Sequence, residues 1–244
     1  MSDDRRSGVP PLNSSEQTPS HVLPWGDGIA KNAAGRRIYR DFGYFQPKEP
    51  VADLAGNLPH WRQEGVTYFV TFRLADSLPH TKLDEWLRER DAWLVTHPKP
   101  WDDATGIAYH RRFTAKFEKW LDAGHGSCIL ARNEIRSIVA NALRHFDGAR
   151  YWLDSWVVMP NHVHVVVTPL ADYDLSQILH AWKSFTSHAI IKILPDWHGP
   201  VWQKESFDHI IRSPDHLERF RVYIAANPRG LPADRFCLCP HAMT

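Results

Sequence analysis

The sequence predicts an α+β fold of the ferredoxin-like, split βαβ kind, with an antiparallel sheet and helices on one face. Aromatic and β-branched runs of strand length alternate with stretches whose apolar residues recur at helical spacing. Two strand-like runs are separated only by Pro160-Asn161, which indicates a hairpin. Once a long insertion is set aside, the order of elements is βαββαβ followed by a helix, as in a split βαβ unit.

The first half of the chain contains one clear strand and a long insertion. An aromatic and β-branched run at Thr67–Leu74, after Gly65, predicts the first strand. A helical insertion is predicted at about 77–130, because apolar side chains there recur at helical spacing on both sides of a proline-containing loop. These side chains are Leu83, Trp86, Leu87, Phe113, Phe117, Trp120 and Leu121.

The second half supplies the remaining elements, which the periodicity and capping signals place in order. They are a helix over Arg132–Phe146, strands at Tyr151–Met159 and His162–Thr168, a helix that begins after an Asp174-x-x-Gln177 capping box and ends near Leu194, a strand at Phe207–Arg212, and a last helix from Ser213-Pro214 to Asn227.

Three regions follow from these elements. Residues 1–60, rich in Pro, Gly, Ser and Asn, are predicted to form a mostly irregular extension. Residues 61–236 form the main domain, and residues 237–244 are a C-terminal tail. Within the extension, the apolar group Gly43-Tyr44-Phe45 is a candidate to pack on the main domain.

Composition limits the class of protein. With 244 residues, 43% of them hydrophobic, the chain can build one substantial core. It has no run of about 18 apolar residues and no apolar signal region, so we expect a cytoplasmic protein. The three cysteines, Cys128, Cys237 and Cys239, do not suggest a disulfide framework. A metal site at Cys237-Leu238-Cys239-Pro240-His241 lacks a second Cys/His pair and is not favoured.

The charge pattern limits any nucleic-acid contact to a local surface, because the net charge is only +1. The stretch between Asp174 and Asp196 contains no acidic residue. We therefore expect DNA contacts from Lys183, His188 and Lys192, and from Arg212 after the last predicted strand. A helix face that is simply solvated explains the same pattern and stays open. A Walker-type glycine loop is absent from the sequence, so no nucleotide cofactor is expected.

A histidine pair lies on one predicted strand. Strand side chains alternate between faces, so His162 and His164 point the same way while Val163 points to the opposite layer. Two neutral imidazoles bind divalent first-row metals and leave positions for a third ligand, substrate oxygens and water. Histidines that are merely exposed or hydrogen-bonded in a core are the alternative, which this motif alone leaves open.

Tyr223 and Asn227 lie one turn apart on the last predicted helix, so they share a face. A phenol with a pKa near 10 needs help to act as a nucleophile, and a nearby metal supplies part of it. The Asn227 side-chain oxygen can complete such a metal site. An amphipathic tyrosine at the core edge and an asparagine helix cap are the alternatives.

Four motifs occur in a fixed order along the chain: Val158-Met159-Pro160-Asn161-His162-Val163-His164, Val201-Trp202-Gln203, Asp208-His209-Ile210-Ile211-Arg212 and Tyr223-Ile224-Ala225-Ala226-Asn227-Pro228. The ordered set resembles the REP-associated tyrosine transposases, single-tyrosine members of the HUH (His-hydrophobic-His) nuclease superfamily that are related to small insertion-sequence transposases. The resemblance covers residues 61–236 without the insertion.

The resemblance implies a DNA strand transferase and endonuclease of HUH type, acting on chromosomal DNA in transposition or repeat processing. It implies a homodimer that binds single-stranded DNA hairpins formed by inverted repeats and uses Mg²⁺ or Mn²⁺. By the same resemblance His162, His164 and Asn227 bind the metal, and Tyr223 is the nucleophile that forms a 5′-phosphotyrosine link. Trp182 or Trp202 is then a candidate to stack on unpaired bases.

The sequence also allows two other functions. One is a catalytically silent, domesticated DNA-binding protein, against which the intact set His162, His164, Tyr223 and Asn227 argues. The other is a metal hydrolase of small molecules, which gives Tyr223 no purpose and lacks an acidic third ligand near the histidines in the sequence.

Overall fold

The computed structural model describes residues 30–31, 37–38, 42–50, 52–54, 60–98, 101, 103–170 and 172–240. The strands are β1 Ala30–Lys31, β2 Arg37–Ile38, β3 Ala52–Leu54, β4 His60–Arg62, β5 Tyr68–Arg73, β6 Tyr151–Val158, β7 His162–Pro169, β8 Phe207–Ile210 and β9 Cys237–Cys239. The α-helices are α1 His80–Thr96, α2 Asp103–Tyr109, α3 Ala115–Asp122, α4 Asn133–His145, α5 Leu175–Ile193 and α6 Pro214–Ala226. A π-helical turn spans His110–Thr114, and 3₁₀ turns span Ile129–Ala131 and Ala233–Arg235. Most of the predicted N-terminal extension, and His241, lie outside the described residues.

Five strands form one antiparallel sheet in the order β8-β5-β7-β6-β9. Because β5 and β6 each pair antiparallel with β7, they run parallel to one another, as the two outer strands of a split βαβ unit do. The predicted α+β class and antiparallel sheet are therefore confirmed. The expected C-terminal tail needs correction, because Cys237–Cys239 pairs with β6 as an edge strand and buries both cysteines in the core.

Helices cover both faces of the sheet. The long helices α4 and α5 pack on one face around Phe72, Trp156 and Val165. On the other face α6 packs through Leu217 and Ile224. The expectation of helices on one face thus holds for α4 and α5 but not for α6. The physical reason is visible in the strands: every residue of β5 and β6 is buried, so both faces require a covering layer.

Capping explains where the two helices that follow β7 and β8 begin. The capping box at the start of α5 is present as predicted, with the Gln177 backbone N–H donating to Asp174 Oδ1 over 2.8 Å. Ser213 caps α6 by accepting from the His216 backbone N–H over 3.1 Å, and Pro214 occupies the first turn.

The insertion folds around an aromatic core of its own, which includes Trp86, Trp93 and Phe113. It rests on the sheet at Arg73, whose guanidinium carbon lies 5.4 Å from the centre of the Phe117 ring. Arg73 pairs directly with His162 in the β5–β7 register, so the two side chains share a face. The insertion therefore covers the histidine-bearing face, beside α6.

Residues 42–46 lie along the other end of β5. The Thr67 backbone N–H donates to the Gly43 carbonyl over 2.8 Å, and the Phe45 N–H donates to the Ile211 carbonyl over 3.0 Å. A Cβ atom on Gly43 would lie 1.6 Å from the Gly65 carbonyl oxygen, so this close approach requires glycine. The apolar group at Gly43–Phe45 thus packs on the main domain.

None of the described helices combines the length and hydrophobicity needed to span a lipid bilayer.

Candidate metal and nucleophile site

The two histidines of β7 converge on one point, as alternation along the strand predicts. The Nε2 atoms of His162 and His164 are 3.0 Å apart, and both side chains are buried. Burial lowers the pKa of His162 to about 3, an effect that the Asn227 side chain partly offsets. Burial also lowers the pKa of His164, and His162 lowers it further. Both rings are therefore neutral near pH 7, the form that binds metal.

The hydrogen bonds of Asn161 fix the tautomer of His162. The Asn161 Nδ2 group donates to the carbonyls of Leu121 and His125, over 3.2 and 3.0 Å, so its Oδ1 must face His162 Nδ1 at 2.7 Å. Because that oxygen only accepts, His162 Nδ1 carries the proton. The Nε2 lone pair is left free for a ligand, the arrangement typical of metal-binding histidines.

His164 is held by the neighbouring strand. Its Nδ1 lies 2.8 Å from Thr71 Oγ1 on β5, and its ring stacks at 5.4 Å on Phe69. A threonine hydroxyl both donates and accepts, so this contact allows either tautomer. When Nδ1 donates to Thr71, the Nε2 lone pair of His164 is available beside that of His162.

Tyr223 approaches this pair from α6. Its hydroxyl lies 3.4 Å from His164 Nε2, and its ring packs edge-on against Phe69 with centroids 5.9 Å apart. Burial raises the pKa of Tyr223 well above its usual range, and the carboxylates of Glu118 and Asp122 raise it further, while the Asn227 side chain lowers it. The resting phenol is therefore protonated and needs substrate or a cation to become nucleophilic.

Two oxygen-bearing side chains complete the cluster. Asn227 Nδ2 donates to Asp122 Oδ1 over 3.2 Å, and that carboxylate oxygen is 3.8 Å from His162 Nε2. Asn227 Oδ1 is buried and has no hydrogen-bond partner within the described part of the chain. A buried carbonyl oxygen without a hydrogen-bond partner, beside two imidazoles, fits the donor set of a metal site.

The donor atoms fit one divalent cation. One ligand atom each from Asp122, His162 and His164 lies within 4.8 Å of the others. Adjacent ligands of an octahedral Mg²⁺ are about 3 Å apart and opposite ligands about 4.2 Å, given bonds of about 2.1 Å. The separations of 3.0 and 3.8 Å fit that range with small adjustments. Of the predicted metal ligands, the two histidines are brought together, and Asn227 lies beside them.

Asp122 is a candidate ligand that the sequence alone does not reveal. It ends α3 in the insertion, 40 positions before His162, and no local motif distinguishes it from other exposed carboxylates. Only the packing of the insertion over the histidine face brings it to the site. The same segment provides the Leu121 and His125 carbonyls that orient Asn161. The insertion therefore contributes both a candidate ligand and the contacts that set a histidine tautomer.

The predicted DNA contacts lie away from this cluster. Lys192 and His188 are exposed on α5, on the opposite face of the sheet from the histidines. Arg212 is exposed five residues beyond Phe207, which is roughly 16 Å along the strand direction. These three residues stay candidates for contacts to more distant parts of a DNA substrate.

The expected DNA contact from Lys183 needs correction. Its ammonium donates to the carbonyls of Gln203 and Lys204, over 3.0 and 3.1 Å, and to Ser206 Oγ over 2.6 Å. These contacts use its three N–H donors, so none is left for a phosphate. Burial, and to a lesser extent the charge of Arg73, together lower the pKa of Lys183 to about 8. Lys183 fixes the loop before β8.

The expectation that Trp182 or Trp202 stacks on an unpaired base also needs correction. Trp182 and Trp202 are only 3% and 5% exposed and belong to the core under α4 and α5. Their indole N–H groups donate to Tyr151 Oη and Thr186 Oγ1. Neither ring is available to a base.

Part of the chain is similar to a known protein family. Residues 130–227 match the family model described as "Transposase IS200 like". The match covers 98 of the 244 residues, so the likeness to this family is limited to that segment. The matched segment contains the histidine pair, Tyr223 and Asn227, whereas Asp122 and the rest of the insertion precede it.

Among solved structures, the chain is similar to one described as a REP-associated tyrosine transposase bound to a REP hairpin. The identity is 20% and the TM-score 0.42, over 69% of this chain and 70% of that one. It is also similar to a candidate transposase from Deinococcus radiodurans R1, with 14% identity and a TM-score of 0.28, over 68% of this chain and 93% of that one. A search of curated proteins gives no significant match.

Proposed function

We propose that this transposase cuts and rejoins single-stranded hairpin DNA through a covalent 5′-phosphotyrosine link at Tyr223, with Mg²⁺ or Mn²⁺ held by His162, His164, Asn227 and Asp122. The observation that carries the proposal is the convergence at His164 Nε2, which lies 3.0 Å from its partner nitrogen on His162 and 3.4 Å from the Tyr223 hydroxyl. A nucleophile and a metal-ligand pair within one small volume is the arrangement that phosphodiester transfer requires.

In the proposed reaction, the Tyr223 oxygen attacks the scissile phosphorus in line with the leaving 3′ oxygen. A new oxygen–phosphorus bond links tyrosine to the 5′ phosphate while the bond between phosphorus and the 3′ oxygen breaks. The phenol loses its proton and the 3′ oxygen gains one, so the leaving group departs as a hydroxyl with no net change in protons. The 3′ hydroxyl of another strand reverses the step and joins DNA. Because the phosphodiester energy is kept in the covalent link, no ATP is consumed.

A bound divalent cation would polarise the scissile phosphate and offset the charge that develops in the transition state. The protein groups have separate tasks. Asn161 and Thr71 hold the two imidazoles in place, and Phe69 supports the rings of His164 and Tyr223. Burial of Tyr223, together with the negative charge of Asp122, raises the pKa of the phenol and keeps it protonated until substrate and cation arrive.

One observation bears on the alternative of a small-molecule metal hydrolase. Asp122 supplies the acidic third ligand that is not evident in the sequence near the histidines. That alternative still gives no role to Tyr223, which faces the histidines directly. The transposase domain at 130–227 favours DNA as substrate. The homodimer implied by the resemblance stays a prediction.

The test uses Tyr223→Phe, which removes one oxygen and keeps the ring. The variant should fold, with a loss in the free energy of unfolding of about 1 kcal/mol or less. It should bind hairpin DNA with unchanged affinity but form no covalent adduct. Wild type and variant are mixed with labelled oligonucleotides that contain the inverted repeats flanking the coding region, in Mn²⁺, and resolved on a denaturing gel.

Val222→Ala, at an exposed position next to Tyr223, is the matched control and should form adduct at the wild-type rate. A slow-migrating adduct from Tyr223→Phe would show that another residue is the nucleophile. Absence of adduct from every protein and repeat tested would count against the covalent mechanism itself.

A further inference from the structure

A cavity of about 330 Å³ lies between α4 and α5, on the face of the sheet opposite the histidines. Its volume is within the range of small-molecule sites, roughly 300–1,000 Å³. Ala142 of α4 and Ala181 of α5 both line it, and their small side chains leave space between the two helices. The sheet separates this cavity from the candidate metal site, so it needs an explanation of its own.

The floor of the cavity is apolar, because the polar atoms within it are already hydrogen-bonded to protein. Tyr151 and Trp182 are buried there, and the Trp182 indole N–H donates to Tyr151 Oη over 2.9 Å. That hydroxyl donates in turn to the Leu143 carbonyl over 2.8 Å. Ile178 adds only hydrocarbon to the lining. The deep part of the cavity therefore favours the apolar part of a ligand.

The mouth of the cavity exposes aromatic surface. Phe185 is 60% exposed and Tyr173 is 38% exposed, and both line the cavity. In the part of the chain that the structure describes, every other phenylalanine, tyrosine and tryptophan side chain is buried or half-buried. Two exposed aromatic side chains at one opening mark a binding site. The patch is small, so it suits a small ligand better than a protein interface of about 1,000 Å².

Arg150 places a positive charge at this mouth. Its guanidinium carbon lies 3.5 Å from the centre of the Phe146 ring and 5.5 Å from that of Tyr173. Stacking uses the faces of a guanidinium and leaves its N–H edge available for the two oxygens of a carboxylate. Among the described residues, no carboxylate lines the cavity or pairs with Arg150. Asp147, three positions earlier, accepts the Leu153 backbone N–H over 2.8 Å.

We infer that this cavity binds a small carboxylic acid, with its apolar body between α4 and α5 and its carboxylate on Arg150. The inference does not depend on the proposed function. One guanidinium matches the single charge of a carboxylate, whereas a phosphate monoester carries a charge of about −1.5 to −2. Asn141 and His145, one turn apart at the α4 side of the cavity, add donors for the same carboxylate.

The first experiment varies the two halves of the ligand separately. Octanoate is compared with butanoate, which keeps the charge and shortens the body, and with 1-octanol, which keeps the body and removes the charge. Each is titrated into the full chain, below the concentration at which micelles form, and followed by saturation-transfer NMR. Octanoate should bind at least about tenfold tighter than butanoate, because more apolar surface is buried. It should bind at least about fivefold tighter than 1-octanol, which cannot pair with a guanidinium.

Two variants locate the site. Arg150→Gln should remove the advantage of octanoate over 1-octanol and leave the affinity for 1-octanol unchanged, a result that a general loss of structure would not give. Ala181→Phe, which fills the cavity, should weaken both probes. Arg219→Gln and Ser176→Phe, at exposed positions, are the matched controls and should bind as wild type does. Thermal unfolding without ligand checks each fold, and if Ala181→Phe does not fold, Arg150→Gln decides.

Three results would overturn the inference. Equal affinity of wild type for octanoate and 1-octanol would remove the role of Arg150. Unchanged octanoate binding in a folded Ala181→Phe would place the site elsewhere. Tighter binding of octyl phosphate than of octanoate would make the ligand a phosphate. Hairpin DNA should leave octanoate bound, and its displacement by DNA would assign this surface to nucleic acid instead.

Discussion

The domain at residues 130–227 and the insertion reach the same site by different routes. In the domain, His162 and His164 are two positions apart on β7, and Tyr223 and Asn227 are one turn apart on α6, so local periodicity already places each pair on one face. The insertion reaches the site only through tertiary packing, with Asp122 and the carbonyls of its α3 end. Motifs therefore identify the histidines, Tyr223 and Asn227, whereas only the fold identifies Asp122.

The largest expected effect comes from the domain's own histidines. His162→Ala and His164→Ala should each abolish detectable adduct formation, because each removes a neutral imidazole from the candidate metal site. The affinity of both variants for Mn²⁺, measured by electron paramagnetic resonance, should also fall, while their affinity for hairpin DNA largely persists. His198→Ala, at an exposed position, is the control. Normal cleavage by either buried-site variant would remove the histidine pair from the mechanism.

Asp122→Asn tests whether the insertion belongs to the metal site. Loss of a hydrogen-bond partner of a metal ligand typically lowers metal affinity roughly 10- to 100-fold. Loss of the carboxylate ligand itself should lower the affinity for Mn²⁺ by at least as much. Isothermal titration of Mn²⁺ measures it, with Asp84→Asn on the exposed side of α1 as the matched control. Equal Mn²⁺ affinity in both variants would restrict the insertion to a supporting role.

Lys183 and Lys192 both lie on α5, but we expect the first to stabilise the fold and the second to contact DNA. Lys183→Ala should lower the free energy of unfolding by about 1–3 kcal/mol, because three acceptors of the loop before β8 lose their donor. Lys192→Ala should change stability by less than about 0.5 kcal/mol. Its effect should instead be a decrease of about 1 in the slope of log K against log salt for hairpin binding. Unchanged stability together with a smaller salt slope for Lys183→Ala would mean that Lys183 contacts DNA.

The last prediction concerns Glu118 on α3, where burial and, to a lesser extent, the charge of Asp122 together raise the carboxyl pKa to about 7. The folded state then holds a proton that the unfolded chain, with a pKa near 4.3, releases. Stability is therefore full below about pH 4 and falls as pH rises from 4 to 7, with a slope of at most about 1.4 kcal/mol per pH unit. Partial exposure reduces that slope through solvent screening.

Glu118→Gln should flatten this pH dependence and be more stable than wild type at pH 8. Urea unfolding in EDTA between pH 4 and 8 measures it, with Glu134→Gln on an exposed part of α4 as control. Parallel curves for wild type and Glu118→Gln would mean that the carboxyl is solvated in the folded protein.

Much of the fold was predictable from periodicity and capping. The predicted bounds of α5 and α6 agree with the structure to within about a residue, because Asp174 and Ser213 are strong N-caps and the apolar faces are regular. The second layer under α6 was not predicted. A strand buried on both faces shows no alternation of polar and apolar residues, so Tyr151–Val158 gives no sign of which layer lies on which side.

The candidate site was predictable where its residues are close in sequence. The histidine pair follows from strand spacing and Tyr223 with Asn227 from helix spacing, and the resemblance implies the role of each. The ligand Asp122 and the tautomer set by Asn161 depend on contacts across 36 to 40 residues, which no local pattern encodes. Lys183 was misinterpreted because charge along a helix does not reveal whether an ammonium is already bonded.

The side-chain amide of Asn161 has a consequence for protein engineering. It joins the loop before β7 to the end of α3, so His162 is oriented by a segment that the transposase family model does not include. A chimera that grafts residues 130–227 onto another scaffold would inherit both histidines but lose the two carbonyls that orient the amide. Recombination between such proteins should therefore preserve function only when the crossover points move residues 121–125 and 161–164 together.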